Sequence, residues 1–216
     1  AAMAETALWA VLGLHRGYFD YARQQQAREW RVLPQRRADE VHVVVLGLGA
    51  MGAACARQLA ALGYRVSGWA TRAAAVDGVA ARTGEVALSA LRHEADIVLN
   101  LLPLTAATRG LFDSERITGM KRGAGFVNLA RGAHVVEADL IAALDRGLLQ
   151  RAVLDVFATE PLPAGHPLWA HPKVTVLPHA AAQTDLRSAT RVAVDNVRAL
   201  HAGQPIVHRV DRAKGY

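Results

Sequence analysis

The sequence predicts an α/β protein: a doubly wound parallel sheet with helices over both faces. Short, almost wholly apolar runs such as VHVVVLG (41–47) and DIVLNLL (96–102) lack the in-out alternation of a sheet wetted on one side, so both of their faces are buried. Stretches with apolar residues three and four apart separate them, and parallel strands need such long crossover connections. A glycine-rich hexapeptide, GLGAMG (47–52), stands where the first strand gives way to the first helix of the sheet.

Taken in order, residues 4–23 place Leu8, Trp9, Val11, Leu12 and Phe19 at mixed three and four spacings, which predicts one helix with a broad apolar side. The arginine-dense REWRVLPQRR (28–37) has no turn or groove-reading signature and reads as a solvated linker. A strand over 41–47 leads into a helix over 51–62 stopped by Gly63, and YRVSGW (64–69), residues 96–102 and GFVNLA (125–130) are the next strands. The helix of 136–146 sets Val136, Leu140, Ala143 and Leu144 on one face and stops at Gly147. RAVLDVF (151–157) and KVTVL (173–177) are the last strands, before a long helix over 184–202 ended by Gly203. The chain therefore divides into a leading helix and linker (1–40), expected to make a dimer contact, a dinucleotide-binding part that carries the chemistry (41–182), and a C-terminal helix and tail (183–216).

With 216 residues and 52% hydrophobic content, the chain can bury a sizeable core. It contains no uncharged apolar run long enough for a membrane span and no leader pattern, so the cytoplasm is the expected compartment. A single cysteine, Cys55, excludes an internal disulfide framework and any multi-cysteine metal site, and reads as a small buried helix residue. The formal charge of +6 comes from arginines scattered through every segment, not gathered in a stripe with aromatics, which argues against nucleic acid as a partner.

GLGAMG carries the first chemistry. Gly47, Gly49 and Gly52 permit a tight turn, close approach of backbone to a pyrophosphate and tight packing of helix on strand. Ala50 and Met51 open a helix whose N-terminus attracts the phosphates. A strand before and a helix after make this a Rossmann-type dinucleotide site. An NAD site usually carries an acid about twenty residues on, bonded to the adenine ribose. Here SGWATR (67–72) ends the second strand, no acid occurs from Arg65 through Val76, and Thr71 and Arg72 stand instead. A guanidinium suits a ribose phosphate, so NADPH is favoured over NADH, with NAD still possible.

Three strand ends open on the same sheet edge: NLARG puts Arg131 past one, DVFATEP puts Asp155 and Glu160 past the next, and LPH puts His179 past the last. An arginine, a carboxylate and a histidine converge there. GLGAMG, NLLPLT (100–105), NLARGAHVVEADL (128–140), LDVFATEPLP (154–163), HPLW (166–169), LPHAAAQT (177–184) and the terminal VDRAKGY together resemble the D-isomer-specific 2-hydroxyacid dehydrogenase family, within it the glyoxylate/hydroxypyruvate reductase A branch.

The resemblance runs over essentially the whole chain. It implies that Arg131 binds the substrate carboxylate and keto oxygen, that His179 donates the proton, and that Glu160 pairs with His179. Asp155 would hold the nicotinamide amide, Leu102, Pro103 and Thr108 would line the cofactor cleft, and Trp69 would border the adenine. A free imidazole has a pKa of about 6.5, so a neighbouring carboxylate is what keeps it protonated enough to act as an acid at neutral pH. His15, His42, His93, His134, His166, His171, His201 and His208 lack such company and receive no catalytic role. The family opens with a substrate-side segment of about a hundred residues, a small domain's worth, ahead of the helix that matches 4–23. The expectation is that this segment is missing here and that the C-terminal tail returns towards it. The implied activity is NADPH-dependent reduction of small 2-keto acids such as glyoxylate and hydroxypyruvate by a homodimer without a metal. The alternative is a non-catalytic dinucleotide-binding or sensing module.

Overall fold

The structure, a computed structural model, describes residues 2–209, so VDRAKGY at 210–216 lies outside the described residues. The chain forms two compact units, Ala1–Ala181 and Ala182–Tyr216. The first holds seven strands: β1 (His42–Leu46), β2 (Arg65–Trp69), β3 (Ala80–Arg82), β4 (Ile97–Asn100), β5 (Ala124–Asn128), β6 (Leu149–Leu154) and β7 (Val174–Val176). Their order is β3-β2-β1-β4-β5-β6-β7, and every pairing is parallel. This is the doubly wound Rossmann-type sheet that the buried apolar runs predict. The order reverses at β1, which pairs with β2 on one side and β4 on the other, the switch point where such sheets bind ligands.

Alternate residues of the central strands feed two cores. Val43, Val45, Ile97, Leu99, Val127 and Val153 cluster with α1 (Ala2–His15) and α3 (Ala50–Ala61). Val44, Leu46, Val98, Phe126 and Leu154 cluster with α4 (Glu85–Glu94), α5 (Ser114–Thr118) and α6 (Glu137–Asp145). Small residues let α1 lie close: Ala4, Ala7 and Ala10 are buried along it, and a Cβ on Gly125 of β5 would come within 2.9 Å of Leu14. In the opposite core Phe112 and Phe126 meet with ring centroids 4.6 Å apart, a geometry that adds about 0.5–1.5 kcal/mol beyond the area buried. Cys55 is buried in α3, as its apolar neighbours suggest.

The single helix expected over 4–23 is two, α1 and α2 (Tyr18–Ala27). Gly17 breaks it with φ +68°, and Phe19 folds back so that its ring lies where a Cβ on Gly13 would stand, 2.4 Å away. Trp9 and Phe19 then meet edge to face at 5.1 Å, which explains apolar residues on more than one side of the stretch. Arg151, a cation within β6, is buried beneath α2, where Asp20 accepts its hydrogen bond at 2.6 Å and the Phe19 ring lies 5.7 Å from its guanidinium. Strand β3 and helices α4 and α5 are additions to the sequence reading; β3 is a three-residue edge strand, exposed along its length, with no burial pattern to betray it.

Residues 28–37 carry no regular secondary structure and are exposed except for the half-buried Leu33, in keeping with a solvated linker. Its end is pinned by Asp96, whose carboxylate accepts from Arg36 at 3.0 and 3.2 Å, from Lys121 at 2.7 Å and from the His42 N–H at 2.8 Å. Burial opposes the Asp96 charge, but these donors outweigh it and hold the carboxyl well below the usual carboxylate range. In the second unit, α7 (Leu186–His201) is capped by Asp185, which accepts the N–H groups of Arg187 and Ser188. No helix among the described residues is long and apolar enough to cross a membrane.

Candidate active site at the carboxyl edge of the sheet

Because every strand runs the same way, the segments after β1, β2, β4, β5, β6 and β7 emerge on one edge. After β1, the three glycines divide their labour. Gly47 has φ +95°, and a Cβ there would sit 2.6 Å from the Leu101 carbonyl; a Cβ on Gly52 would sit 1.7 Å from the Gly47 carbonyl. Both are required by the protein itself. Gly49, with φ −66°, has nothing among the described residues within 4 Å of the Cβ position, so none of them demands its missing side chain. The open space above Gly49 at the start of α3, beside exposed Ala50 and Met51, is a cradle for an anionic group approaching backbone N–H groups.

Thr71 and Arg72 follow β2, both exposed. Trp69, the last residue of that strand, is buried and its indole N–H donates to the Gly84 carbonyl at 2.9 Å, which fixes the ring beside the same edge. After β4, Leu102 and Thr108 are buried and Pro103 half-buried; the Thr108 hydroxyl donates to the Pro103 carbonyl at 2.8 Å and accepts the Thr105 N–H at 2.8 Å, a compact turn. Arg131 follows β5, exposed, its guanidinium donating to the Ala130 carbonyl at 2.6 Å. Next to it, a Cβ on Gly132 would lie 1.9 Å from the Phe157 carbonyl carbon, so the arginine turn is pressed directly on the loop after β6.

That loop carries Asp155 and Glu160. The Glu160 carboxylate accepts the Phe157 N–H at 2.9 Å and contacts His179 Nδ1 at 2.6 Å. Partial burial works against its charge, yet His179, the Phe157 N–H and the positive field of Arg131 prevail and hold the Glu160 carboxyl below its ordinary value. Arg131, Glu160 and His179 are therefore brought together, and among the described residues none bonds His179 Nε2. His179 adopts φ +54°, a left-handed conformation that costs a non-glycine residue about 1–3 kcal/mol and recurs at active sites. Asp155 holds that turn. Its carbonyl accepts the His179 N–H at 2.8 Å, and its carboxylate, 1% exposed, accepts the N–H groups of Ala180 at 2.7 Å and Ala181 at 3.0 Å.

Sequence reasoning missed Glu137, Asn100, Asn128 and His134. Glu137 accepts the Ala158 N–H at 2.8 Å and lies 3.4 Å from His166, bracing the loop that bears Glu160. The other three form a buried cluster beneath the site. The signal available for them was that two neighbouring strands both end in asparagine.

The family profile described as "D-isomer specific 2-hydroxyacid dehydrogenase, NAD binding domain" matches residues 8–181. The chain belongs to that family. Among its relatives, the glyoxylate/hydroxypyruvate reductase A of Serratia proteamaculans (strain 568) is 41% identical over 99% of this chain, which spans 68% of that protein. A D-isomer specific 2-hydroxyacid dehydrogenase from Xanthobacter autotrophicus Py2, solved in complex with NADPH and MES, superposes with a TM-score of 0.96 at 44% identity, covering 100% of this chain and 89% of that one. The NADPH-dependent glyoxylate/hydroxypyruvate reductase of Sinorhizobium meliloti, solved with NADP and sulfate, gives a TM-score of 0.96 at 35% identity over 100% of this chain and 69% of that one.

The division among the glycines generates a test. Gly49→Ala is expected to fold with an unchanged thermal midpoint and to weaken NADPH binding roughly tenfold, because the added methyl meets only the ligand. Gly52→Ala, which strikes backbone, should lose about 3 kcal/mol or more of stability. Thermal melts beside fluorescence titration separate the two, and a Gly49→Ala protein that bound NADPH like the wild type would remove the cradle.

Proposed function

We propose that this chain is the cofactor-binding part, with the catalytic residues, of an NADPH-dependent reductase that converts small 2-keto acids such as glyoxylate and hydroxypyruvate to 2-hydroxy acids. The observation that carries this reading is the 2.6 Å pairing of His179 with Glu160 on a strained turn at a strand end, within the field of Arg131. A module that only sensed dinucleotide would have no use for that pair.

Arg131 binds the substrate carboxylate and steadies the keto oxygen through its planar fork of donors. Bound NADPH supplies hydride to the keto carbon. His179 Nε2 gives a proton to the oxygen as it gains negative charge, and Glu160, ionised across the neutral range, stabilises the imidazolium through Nδ1–H. Asp155 retains lone pairs beyond its two backbone bonds, enough to accept from a nicotinamide amide. Leu102, Pro103 and Thr108 wall the cleft, Trp69 borders the adenine, and Thr71 and Arg72 take the ribose phosphate, with NADH as the weaker cofactor.

The chain acts as a homodimer in the cytoplasm on this reading. Trp30 is 99% exposed and Val32 79%, with Trp9 and Tyr18 half out of the leading helices; a surface of that kind suits a second copy. One buried thiol and no disulfide suit a reducing compartment.

Four outcomes are expected. Arg72→Ala should cut the preference for NADPH over NADH by about one to two decades, the worth of a charge-assisted bond of about 1.5–3 kcal/mol; equal wild-type affinities for the two cofactors would count against the assignment. The pH dependence is read in NADPH oxidation with glyoxylate. Because the Glu160 carboxyl is held below its ordinary range, no acid-side loss should set in near pH 4–5, roughly where a free Glu titrates. His179→Ala should lower turnover by about a hundred- to ten-thousand-fold with cofactor affinity nearly unchanged; a His179→Ala protein with wild-type turnover would end the catalytic reading. Sedimentation at micromolar protein should find a dimer that Trp30→Glu weakens, whereas a wild-type monomer would overturn the assembly.

A further inference from the structure

Beneath the catalytic edge, between β4 and β5, three polar side chains are wholly buried: Asn100, Asn128 and His134, each 0% exposed. Asn100 and Asn128 are register partners, the last residues of adjacent strands. The Asn100 amide nitrogen donates to Asn128 Oδ1 at 3.0 Å and to His134 Nδ1 at 3.0 Å, so both of its protons are used. Asn100 Oδ1 accepts the Leu102 N–H, and Asn128 Oδ1 also accepts the Ala130 N–H, each at 3.3 Å. The Asn128 amide nitrogen donates to the Arg131 carbonyl at 3.1 Å. An amide N–H can donate to His134 Nδ1 only if that nitrogen bears a lone pair, which places the ring proton on Nε2, 3.3 Å from the Pro103 carbonyl.

Every polar atom in the cluster thus has a partner, and the partners are not arbitrary. One set is the backbone of the turn after β4, Leu102 and Pro103. The other is the backbone of Ala130 and Arg131. His134 backbone joins in, its N–H donating to the Arg131 carbonyl at 3.2 Å and its carbonyl accepting the Phe112 N–H at 2.9 Å. A simple strand-end packing role would be served by apolar side chains, which avoid burying any polar atom. We propose that His134 is a positioning residue that, through Asn100 and Asn128, locks the Leu102–Thr105 turn and the Arg131 turn into one block, fixing the guanidinium against the cofactor-side wall. The inference rests on the reading of those two turns as facing cofactor and substrate.

The neutral ring is the form the cluster needs, since a protonated Nδ1 would point a hydrogen at the Asn100 amide. Burial, with the nearby charges of Arg131 and Arg109, pushes the His134 imidazole below its ordinary value, against the raising effect of its backbone partners Pro103 and Arg131. Glu137 and Asp139 lie on α6, after the turn that bears His134.

Hydrogen exchange on the intact chain tests the coupling without relying on turnover. His134→Ala should raise exchange about tenfold in peptides covering both 101–108 and 129–133, while peptides of β1 and α3 keep wild-type protection. His134→Gln, whose amide can accept from Asn100 and donate to Pro103, should restore both. Should the alanine variant not fold, His134→Leu removes the same bonds at similar volume and is read in the same way. Acceleration confined to one turn, spread equally over the whole sheet, or absent would overturn the proposal, as would a protonated His134 ring in nitrogen NMR at pH 7. Kinetics provide the second readout. His134→Ala should raise KM for glyoxylate more than it lowers kcat, with the pH profile unmoved and Gln recovering KM. A wild-type chain that bound no NADPH would sink the functional reading and leave the exchange result to decide this one.

Discussion

Parallel pairing around β1 is the constraint from which the site follows. A parallel strand cannot turn straight back into its neighbour; the chain must cross over, most often through a helix, and re-enter at the same end. Each strand then finishes on the same edge, and the residues that finish them are collected whatever their distance in sequence. Gly47, Arg131 and His179 are separated by most of the chain, yet each is a few residues past a strand of the same sheet. The two apolar cores, one on each face, hold that sheet between helices, so the edge itself is left to polar groups.

At that edge the backbone is held in conformations it would not choose alone. His179 in the left-handed region is offset by three hydrogen bonds to one residue, Asp155, whose carbonyl and carboxylate together receive three successive N–H groups. Gly132 lets the Arg131 turn press on the Phe157 backbone, and Phe157 in turn donates its N–H to Glu160. Arginine, glutamate and histidine are therefore linked by backbone contacts as well as by charge. This matters because a mispositioning of about 1 Å is enough to forfeit a large part of a catalytic effect.

Much of this was legible in the sequence because it is written in patterns that depend on local physics. Buried parallel strands announce themselves as unbroken apolar runs, and GLGAMG as a turn that tolerates no side chain at two of its positions. Where legibility failed, the missing information was not local. The break at Gly17 is hidden because apolar spacing continues across it, and only the packing of Phe19 back onto Gly13 gives it a purpose. Strand β3 is short and exposed, so burial never stamps a period on it. The family resemblance implies a cofactor contact for Asp155, but its bonds to Ala180 and Ala181 depend on how far the chain past β7 curls back.

His134 shows the sharper limit. In sequence it lacks the company of an acid-base histidine, a sound test for that role, but a test for the wrong trade. A histidine can matter by being neutral and saturated: one nitrogen accepting, the other donating, with no capacity left for chemistry. Its partners are one asparagine, Asn100, and a proline carbonyl, neither of which carries charge, and Asn100 meets Asn128 only when β4 and β5 pair in register. A catalytic residue can be inferred from its own type and from where its strand ends. A residue that positions others has to be inferred from the hydrogen bonds it completes, and those exist only once the strands are side by side.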